Sequence, residues 1–296
     1  MKRFALTLYF LFLSGQLLAQ KPQNQPRVSV TQVAGPIFMI QGSGGGNIGV
    51  ITDSDGVFVI DSMDERSAPE VRSALRSLPG GSRIKAIVNT HWHSDHTDGN
   101  RILGPECLVI AHENTRSLLA RPQSLMGQSI KALPFNALPA ITFFDTLTLY
   151  TQQGKIRLVH YPHAHTNGDT VVFMDNFKVI HMGDLFFNGM FPYLDVANGG
   201  DIENWVRQLD TIMSRLPQDV KIIPGHGPLA SLADLRSFRQ MLQDSAVTVR
   251  KWMQEGKTLD QIKAAGLPEK FAPWAGGFLS TAQWLELVYR SLEKQR

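Results

Sequence analysis

Cysteine is nearly missing from this chain of 296 residues, in which Cys107 has no second thiol as a partner. One cysteine cannot form an intrachain disulfide, so the fold has to be stable without covalent cross-links. A large excess of charge of either sign is also missing, because the chain has 29 lysines and arginines and 26 aspartates and glutamates. The hydrophobic fraction of 43% is that of a globular protein, and it excludes an intrinsically disordered chain.

A long apolar run occurs once, over residues 4–18, directly after two basic residues. With the small residue Ala19 behind it, the run predicts a secretory signal peptide over residues 1–19. The alternative is an uncleaved anchor helix, although the run is short for a complete membrane span. We therefore expect an exported, periplasmic protein that has no stable membrane insertion after cleavage.

The expected mature chain is one domain over residues 20–296, with a helical extension at its C-terminus. We interpret the apolar segment 271–279 of this extension as core, with an active-site wall or a subunit contact as alternatives. Without the two basic residues of the signal peptide, the chain has 27 basic and 26 acidic side chains. This balance predicts no basic groove, so we expect a small-molecule substrate and no nucleic-acid partner.

Strand-like and helix-like segments alternate along the chain. The runs within residues 28–60 predict an antiparallel meander, and a helix over 68–78 and a buried strand over Ile84–Asn89 follow. A second cycle of strands ends in helices over 202–216 and 229–255. This order predicts two β-sheets packed face to face, with helices on both outer faces.

A cluster of candidate metal ligands follows the strand Ile84–Asn89, where His91, His93, Asp95 and His96 lie within six residues. Neutral imidazoles and carboxylates are ligands that zinc prefers. Alternate residues at the end of a strand point the same way, so His91 and His93 can bind one ion while Asp95 and His96 face a neighbouring position. A lone histidine is usually a hydrogen-bonded core residue, but four candidate ligands at this density favour a metal site.

Three more candidate ligands, His165, Asp184 and His226, each follow an apolar run and have glycine close by. Loops of this kind converge at one edge of a sheet. Together the candidates are five histidines and two aspartates, which are enough donors for two metal ions.

In this order the motifs resemble the metallo-β-lactamase superfamily: the run from His91 to His96, then His-Thr-x-Gly at His165, Gly-Asp at Asp184 and Gly-His-Gly at His226. The resemblance covers nearly the whole expected mature chain, and it implies an α/β fold, the four-layer αββα sandwich. It also implies two zinc ions, with iron as the alternative metal. The implied ligands are His91, His93 and His165 for the first ion, Asp95, His96 and His226 for the second, and Asp184 between or beside them.

Asp61 and His163, which lie near the motifs, each have two possible interpretations. The resemblance implies that Asp61, which follows a strand-like run, supports the metal ligands from behind, and a turn cap explains it equally well. His163 competes with His165, because His163-Ala164-His165 also offers two imidazoles on one face. The family pattern His-Thr-x-Gly-Asp selects His165 and leaves His163 a supporting or structural role.

The predicted reaction is hydrolysis of a carbonyl-type bond. Two divalent ions share a hydroxide that is a strong nucleophile near neutral pH, because coordination lowers the pKa of water from about 15.7 to about 7. Asp95 is the candidate catalytic residue, which would orient this nucleophile and move its proton. We therefore expect a zinc-dependent, β-lactamase-like hydrolase of cyclic amides or esters.

Two differences from the zinc β-lactamases bear on the substrate. Zinc β-lactamases of the Cys-ligand type have a cysteine where Asp184 lies and, three residues later, a lysine that binds the drug's carboxylate; this chain has Phe187 there. Asn188 and the loop Asn198-Gly199-Gly200, which is otherwise an ordinary turn, are then the candidate donors to a substrate, and we expect inefficient β-lactam hydrolysis. The alternatives are a thioester hydrolase of the glyoxalase II type, which export disfavours, and a sulfur dioxygenase with a single iron.

Overall fold

A computed structural model of the chain describes residues 28–43 and 45–294. The predicted signal peptide over residues 1–19 lies outside the described residues, and the division into one domain stays a prediction. Within the described ranges, no helix is both long enough and apolar enough to cross a membrane.

Fifteen strands and eight α-helices make up the described structure. The strands are β1 (Val28–Ala34), β2 (Ile37–Gly42), β3 (Ile48–Asp53), β4 (Gly56–Ile60), β5 (Ile84–Asn89), β6 (Leu108–His112), β7 (Gln123–Leu125), β8 (Gln128–Ile130), β9 (Ile141–Phe143), β10 (Thr146–Thr151), β11 (Gly154–His160), β12 (Thr170–Met174), β13 (Val179–His181), β14 (Lys221–Ile223) and β15 (Ala230–Ser231). The helices are α1 (Ala68–Arg76), α2 (Ser94–Thr97), α3 (Asn100–Leu103), α4 (Glu113–Leu119), α5 (Ile202–Met213), α6 (Leu232–Gln254), α7 (Leu259–Ala265) and α8 (Thr281–Glu293).

Two large sheets form the centre of the fold. The first has the strand order β1-β2-β3-β4-β5-β6-β9, and the second has the order β10-β11-β12-β13-β14-β15. Strands β1 to β4 pair antiparallel, as the meander predicted, whereas β4, β5, β6 and β9 pair parallel. In the second sheet β13 and β14 are parallel, and α5 lies on the crossover between them. Parallel neighbours end at the same edge of a sheet, and this brings the loops after them together.

The two sheets enclose a common core and carry helices on their outer faces. Side chains such as Ile51 and Val88 of the first sheet and Val172 and Ile223 of the second belong to one buried cluster. The opposite face of the first sheet packs against α1, and that of the second packs against α5, α6 and α8. The expected four-layer arrangement of helix, sheet, sheet and helix is confirmed.

Two local differences from the sequence-based expectation have physical causes. The short β7–β8 hairpin was not predicted, because its residues are mainly polar, half-exposed or exposed, and show no apolar alternation. Helix α6 begins at Leu232 and not at residue 229, because Ser231 and Asp234 form a reciprocal capping box there. Ala230 pairs with β14 immediately before this cap, so the chain is still a strand at that point.

Candidate metal centre

Loops from both sheets bring the seven candidate ligands to one edge of the sandwich. The loop after β5 carries the run His91 to His96, and its last part is the single turn α2. His165 lies on the loop between β11 and β12, and Asp184 and His226 follow the parallel strands β13 and β14. Two sets of side chains place one ligand atom each within 4.8 Å of the others. The sets are His91, His93, His165 and Asp184, and Asp95, His96 and His226.

The first set, which we call the three-histidine group, is buried. Nδ1 of His93 lies 3.0 Å from Nε2 of His165. Asp184 Oδ2 lies 3.4 Å from Nε2 of His165 and 3.5 Å from Nε2 of His91. Three imidazole nitrogens and one carboxylate oxygen therefore point at a common centre.

The second set, which we call the outer group, is closer to solvent. Nε2 of His226 lies 3.2 Å from Nε2 of His96 and 3.2 Å from Oδ2 of Asp95. The side chain of Asp95 is 37% exposed and that of His226 19%, whereas His96 is fully buried. Access to the centre is therefore from the side of Asp95 and His226.

Asp184 connects the two groups. Its Oδ2 faces the three-histidine group, and its Oδ1 lies 3.0 Å from Nε2 of His96 and 3.5 Å from Nε2 of His226. Neither Asp184 Oδ1 nor Nε2 of His91 has a hydrogen-bond partner within the described chain, although both atoms are buried. Buried polar atoms are almost always satisfied, so these atoms point to a ligand other than protein.

Three of the imidazoles have their outward-facing nitrogen held by a hydrogen-bond acceptor. His165 Nδ1 donates to the carbonyl of Tyr193 at 2.8 Å, and His93 Nε2 donates to Asp195 at 3.1 Å. His96 Nδ1 donates to Asp61 at 2.9 Å. With protons on these outer atoms, the inner nitrogens present lone pairs to one another, and a cation removes that repulsion.

The spacing of the donor atoms fits zinc. Ligands about 2.0–2.2 Å from a tetrahedral ion lie roughly 3.3–3.6 Å from one another. The distances between neighbouring donor atoms in the two groups run from 3.0 Å, between His93 Nδ1 and His165 Nε2, to 3.6 Å, between His96 Nε2 and Asp95 Oδ2. Nitrogen and carboxylate oxygen without sulfur also suit iron, so the donor set fits a divalent metal without selecting one.

The pKa values of His165, in the three-histidine group, and His226, in the outer group, shift in opposite directions. Burial lowers the pKa of His165 to about 4, so this imidazole is neutral and ready to bind a cation. Burial also opposes the charge of His226, but Asp184 and Asp95 outweigh it and raise the pKa to about 9. Metal binding at the outer group therefore has to displace a proton, and it weakens in acid.

Two glycines allow the backbone to approach the ligands. A Cβ atom on Gly46 would lie 2.0 Å from Cε1 of His96, and one on Gly225 would lie 2.0 Å from Oδ1 of Asp184. Any side chain at these positions would displace a ligand, so glycine is required by close approach.

Asp61 lies behind the ligands, with both carboxylate oxygens in use. It accepts from the backbone amide of Thr90 at 2.8 Å, from the Thr90 hydroxyl at 2.7 Å and from His96. The same Thr90 oxygen lies 3.1 Å from Nδ1 of His91. One carboxylate thus orients His96 directly and His91 through Thr90, and its own backbone has a left-handed φ of 64°.

The remaining candidates lie outside both groups. His163 is exposed, has a left-handed φ of 53°, and its Nδ1 lies 3.2 Å from the carbonyl of Gly199. Asn188 donates its side-chain N–H to the carbonyl of Pro228 at 3.1 Å, so part of its donor capacity is used within the fold. Phe187 is fully buried and its ring stacks on that of His226 at 4.9 Å.

Sequence reasoning missed Asp195 and misjudged part of the segment 271–279. Asp195 is buried and accepts from Trp92 Nε1 at 3.0 Å as well as from His93. The only sequence signal was an aspartate in a loop ahead of two glycines, which a turn explains equally well. Phe271 and Leu279 are core as predicted, but Phe278 is 51% exposed, and its ring lies beside those of His226 and Phe187.

Known proteins share this sequence pattern and this fold. Residues 42–226 match the family model described as the metallo-beta-lactamase superfamily. The chain is 25% identical over 242 residues to the 2,4-dinitroanisole O-demethylase subunit alpha of Nocardioides sp. (strain JS1661), covering 80% of this chain and 69% of that protein. It is 22% identical over 193 residues to a metallo-beta-lactamase type 2 of Pseudomonas aeruginosa, covering 64% of this chain and 65% of that protein.

Solved structures show the same fold. The DIM-1 metallo-beta-lactamase superposes with a TM-score of 0.60 at 22% identity, over 74% of this chain and 99% of that chain. A double mutant of the sec-alkyl sulfatase PisA1 superposes with a TM-score of 0.69 at 16% identity, over 90% of this chain and 50% of that chain. The likeness to the sulfatase thus covers more of this chain than the likeness to the lactamase does.

Proposed function

Because the chain belongs to the metallo-β-lactamase superfamily and is a metal-dependent hydrolase of that type, we propose that it hydrolyses cyclic amides or esters with two zinc ions. The position of Asp184 carries this proposal. Its two oxygens face two separate sets of imidazoles, so the seven ligands offer two adjacent sites and not one. The alternative from the sequence, a sulfur dioxygenase with a single iron, would leave the three ligands of the outer group without a metal ion to bind.

Each of the two groups of ligands would bind one metal ion. His91, His93 and His165 would hold one ion, the outer group would hold the other, and Asp184 would contact both. Two divalent ions, when bound, supply an ionised water near neutral pH and stabilise negative charge on a carbonyl oxygen. No serine or cysteine nucleophile is then required.

Asp95 is the residue placed to handle the proton. Its carboxylate is the most exposed of the seven ligand side chains, and it lies on the side from which substrate can approach. His96 and His226 outweigh the effect of burial and hold its pKa well below the ordinary value, so its carboxylate is ionised at neutral pH. A general base in contact with the approaching substrate is what acyl hydrolysis requires.

Relatives of this chain are named for different activities. One relative is named for a β-lactamase activity and another for O-demethylation of 2,4-dinitroanisole, so the printed activities differ between relatives. In this chain Phe187, three residues after Asp184, is buried against His226 and cannot pair with a carboxylate. This favours uncharged esters and lactones over anionic β-lactams.

Elemental analysis of the purified protein, followed by hydrolysis assays, tests the proposal. We expect about two zinc ions per chain and turnover of a lactone, an ester or a β-lactam that EDTA abolishes. About one iron per chain, with oxygen uptake in place of hydrolysis, would contradict it. Export is a further proposal, which rests on residues 1–19 and is tested by finding the shortened protein in a periplasmic fraction.

A further inference from the structure

An aromatic side chain stands exposed at the mouth of the metal centre. The ring of Phe278 lies 6.2 Å from that of His226 and 6.2 Å from that of Phe187. Its side chain is 51% exposed, so the ring presents apolar surface to solvent directly beside a metal ligand. Phe278 lies outside the segment that matches the family model, so it is a feature of this chain's own C-terminal part.

The segment that carries Phe278 is fixed to the loop after Asp184. The amide of Phe191 donates to the carbonyl of Trp274 at 2.8 Å. The backbone of Gly277 packs so closely on Met190 that a Cβ there would lie 2.6 Å from the Cβ of Met190. These contacts hold the segment beside the outer group, on the side where Asp95 and His226 are accessible.

A second exposed apolar side chain lies on the side of the three-histidine group. Met126, at the tip of the β7–β8 hairpin, is 51% exposed. Its backbone amide bonds to the hydroxyl of Tyr193, whose ring lies 5.6 Å from that of His93. Both flanks of the centre therefore present apolar surface to solvent.

The charge around the centre does not favour an anion. Within the described ranges, the ion-pair partners of the seven ligands are histidines and aspartates, with no lysine or arginine among them. Four carboxylates, those of Asp61, Asp95, Asp184 and Asp195, balance the +4 charge of two divalent ions. A substrate carboxylate would thus meet a centre without excess positive charge.

We propose that the substrates of this centre are uncharged esters or lactones with an aryl or other bulky apolar group, which packs on Phe278 beside His226. The inference rests on the proposed hydrolase function and adds the substrate class to it. In the reaction, water oxygen bonds to the acyl carbon and the carbon–oxygen ester bond breaks. The leaving oxygen takes one proton, so an ester gives a carboxylic acid and an alcohol, whereas a lactone gives a single hydroxy acid, and neither reaction requires an oxidant or a reductant.

Three lactones and two variants test the proposal. The lactones are γ-butyrolactone, its phenyl-substituted form and the same phenyl form with a carboxylate on the ring, and kcat/KM is measured for each with the zinc-loaded full-length protein. We expect the wild type to prefer the neutral phenyl lactone at least tenfold over both others. Phe278→Ala should reduce the preference for phenyl over unsubstituted lactone about tenfold, mainly through KM. Phe135→Ala, which changes an 85% exposed phenylalanine, should leave the preference unchanged.

A binding measurement separates this inference from the function on which it rests. The phenyl-substituted tetrahydrofuran, which lacks the carbonyl, cannot be hydrolysed, and calorimetry should give about tenfold weaker binding with Phe278→Ala than with wild type. Hydrolysis of all three lactones at equal rates, with binding unaffected by Phe278→Ala, would overturn the inference and leave the hydrolase function intact. No hydrolysis of any lactone, with binding still dependent on Phe278, would overturn the function and keep the apolar site.

Discussion

Asp195 lies 3.1 Å from Nε2 of His93, while Nδ1 on the opposite side of the same ring lies 3.0 Å from His165. A carboxylate can only accept a hydrogen bond, so this contact places the imidazole proton on Nε2 and leaves the Nδ1 lone pair directed at the centre. The negative charge of Asp195 also makes the imidazole a stronger donor to a metal. Asp195 is ionised in this role, because His93 and Asn198 outweigh its burial and lower its pKa.

Asp195→Asn should weaken zinc binding without unfolding the protein. The amide keeps the shape of the side chain but has one oxygen where two carboxylate oxygens now accept from four donors, those of Trp92 and His93 and the backbone and side-chain amides of Asn198. Removing such a partner typically costs 10–100-fold in metal affinity. Competition with a chelator of known affinity measures the change. Asp175→Asn, which alters a surface ion pair with Arg157, is the control, and equal losses in both variants would contradict the role of Asp195.

Substitutions of His163 and His165 should differ in their effect on the metal content of the protein. His165→Ala removes a buried nitrogen that faces His93 and Asp184, so it should lose most of the metal of the three-histidine group. His163→Asn changes an exposed ring with a left-handed backbone that asparagine tolerates, so it should retain close to the wild-type content. Elemental analysis of both purified variants shows which of the two histidines is a metal ligand. Metal loss from His163→Asn comparable to that from His165→Ala would show that the wrong histidine of the pair is assigned.

Asp95→Asn should reduce kcat strongly and leave the fold intact. The substitution removes an accessible proton acceptor and weakens one contact to His226, while the buried ligands stay in place. General-base catalysis typically contributes 10²–10⁴-fold, so we expect kcat to fall by about that factor. The assay is run with zinc in excess, and zinc content is measured in parallel. Turnover within a few-fold of wild type would rule out Asp95 as the catalytic base.

Acid should destabilise the metal-free protein through the His112–His160 stack. The rings stack at 3.5 Å, and burial followed by the charge of His112 lowers the pKa of His160 to about 4. Unfolding restores an ordinary value near 6.5, so the neutral ring stabilises the fold above that pH, and this stability is lost as pH falls towards 4.

A comparison of variants isolates this effect from the other histidines. His160→Gln keeps a donor for the carbonyl of Asn167, which His160 Nε2 bonds at 3.0 Å. Because the ring is partly exposed, we expect the stability of wild type relative to the variant to drop by only about 1 kcal/mol between pH 7.5 and pH 5. Urea unfolding of both proteins in EDTA gives the difference. A difference independent of pH would contradict the assignment.

A penicillin should be captured poorly, because Phe187 stands three residues after Asp184 and, in the part of the chain that the structure describes, no lysine or arginine pairs with the seven ligands. Phe187 is buried and Asn188 already donates to the carbonyl of Pro228. The absence of a charge-assisted hydrogen bond costs roughly one to two orders of magnitude in KM. The methyl ester of the same penicillin should therefore have a KM no higher than that of the acid. A low micromolar KM for the acid, unchanged in Asn188→Ala, would show that another group binds the carboxylate.

Local sequence was enough to predict the strands and the ligand motif. The strand Ile84–Asn89 was predicted with the bounds that the structure shows, because four of its six residues are apolar and the turn residues Pro79-Gly80-Gly81 separate it from the helix before it. The run from His91 to His96 follows at once, and its spacing determines which side chains can share a face. The two sheets and the helical outer layers follow from the order of such segments.

Contacts between distant loops were decided by the tertiary structure alone. Asp195 meets His93 across 102 residues of sequence, and no local pattern at Asp195 distinguishes it from a turn residue. Phe278 lies beside His226 in a segment whose Gly277 packs on Met190, a contact between parts of the chain that are far apart in sequence. The choice between His163 and His165 required a family pattern, since the left-handed backbone that points His163 to solvent is not visible in the sequence. Side-chain periodicity is a local property, whereas the distance between two loops depends on how both sheets pack, so the supporting residues of a site emerge only with the fold.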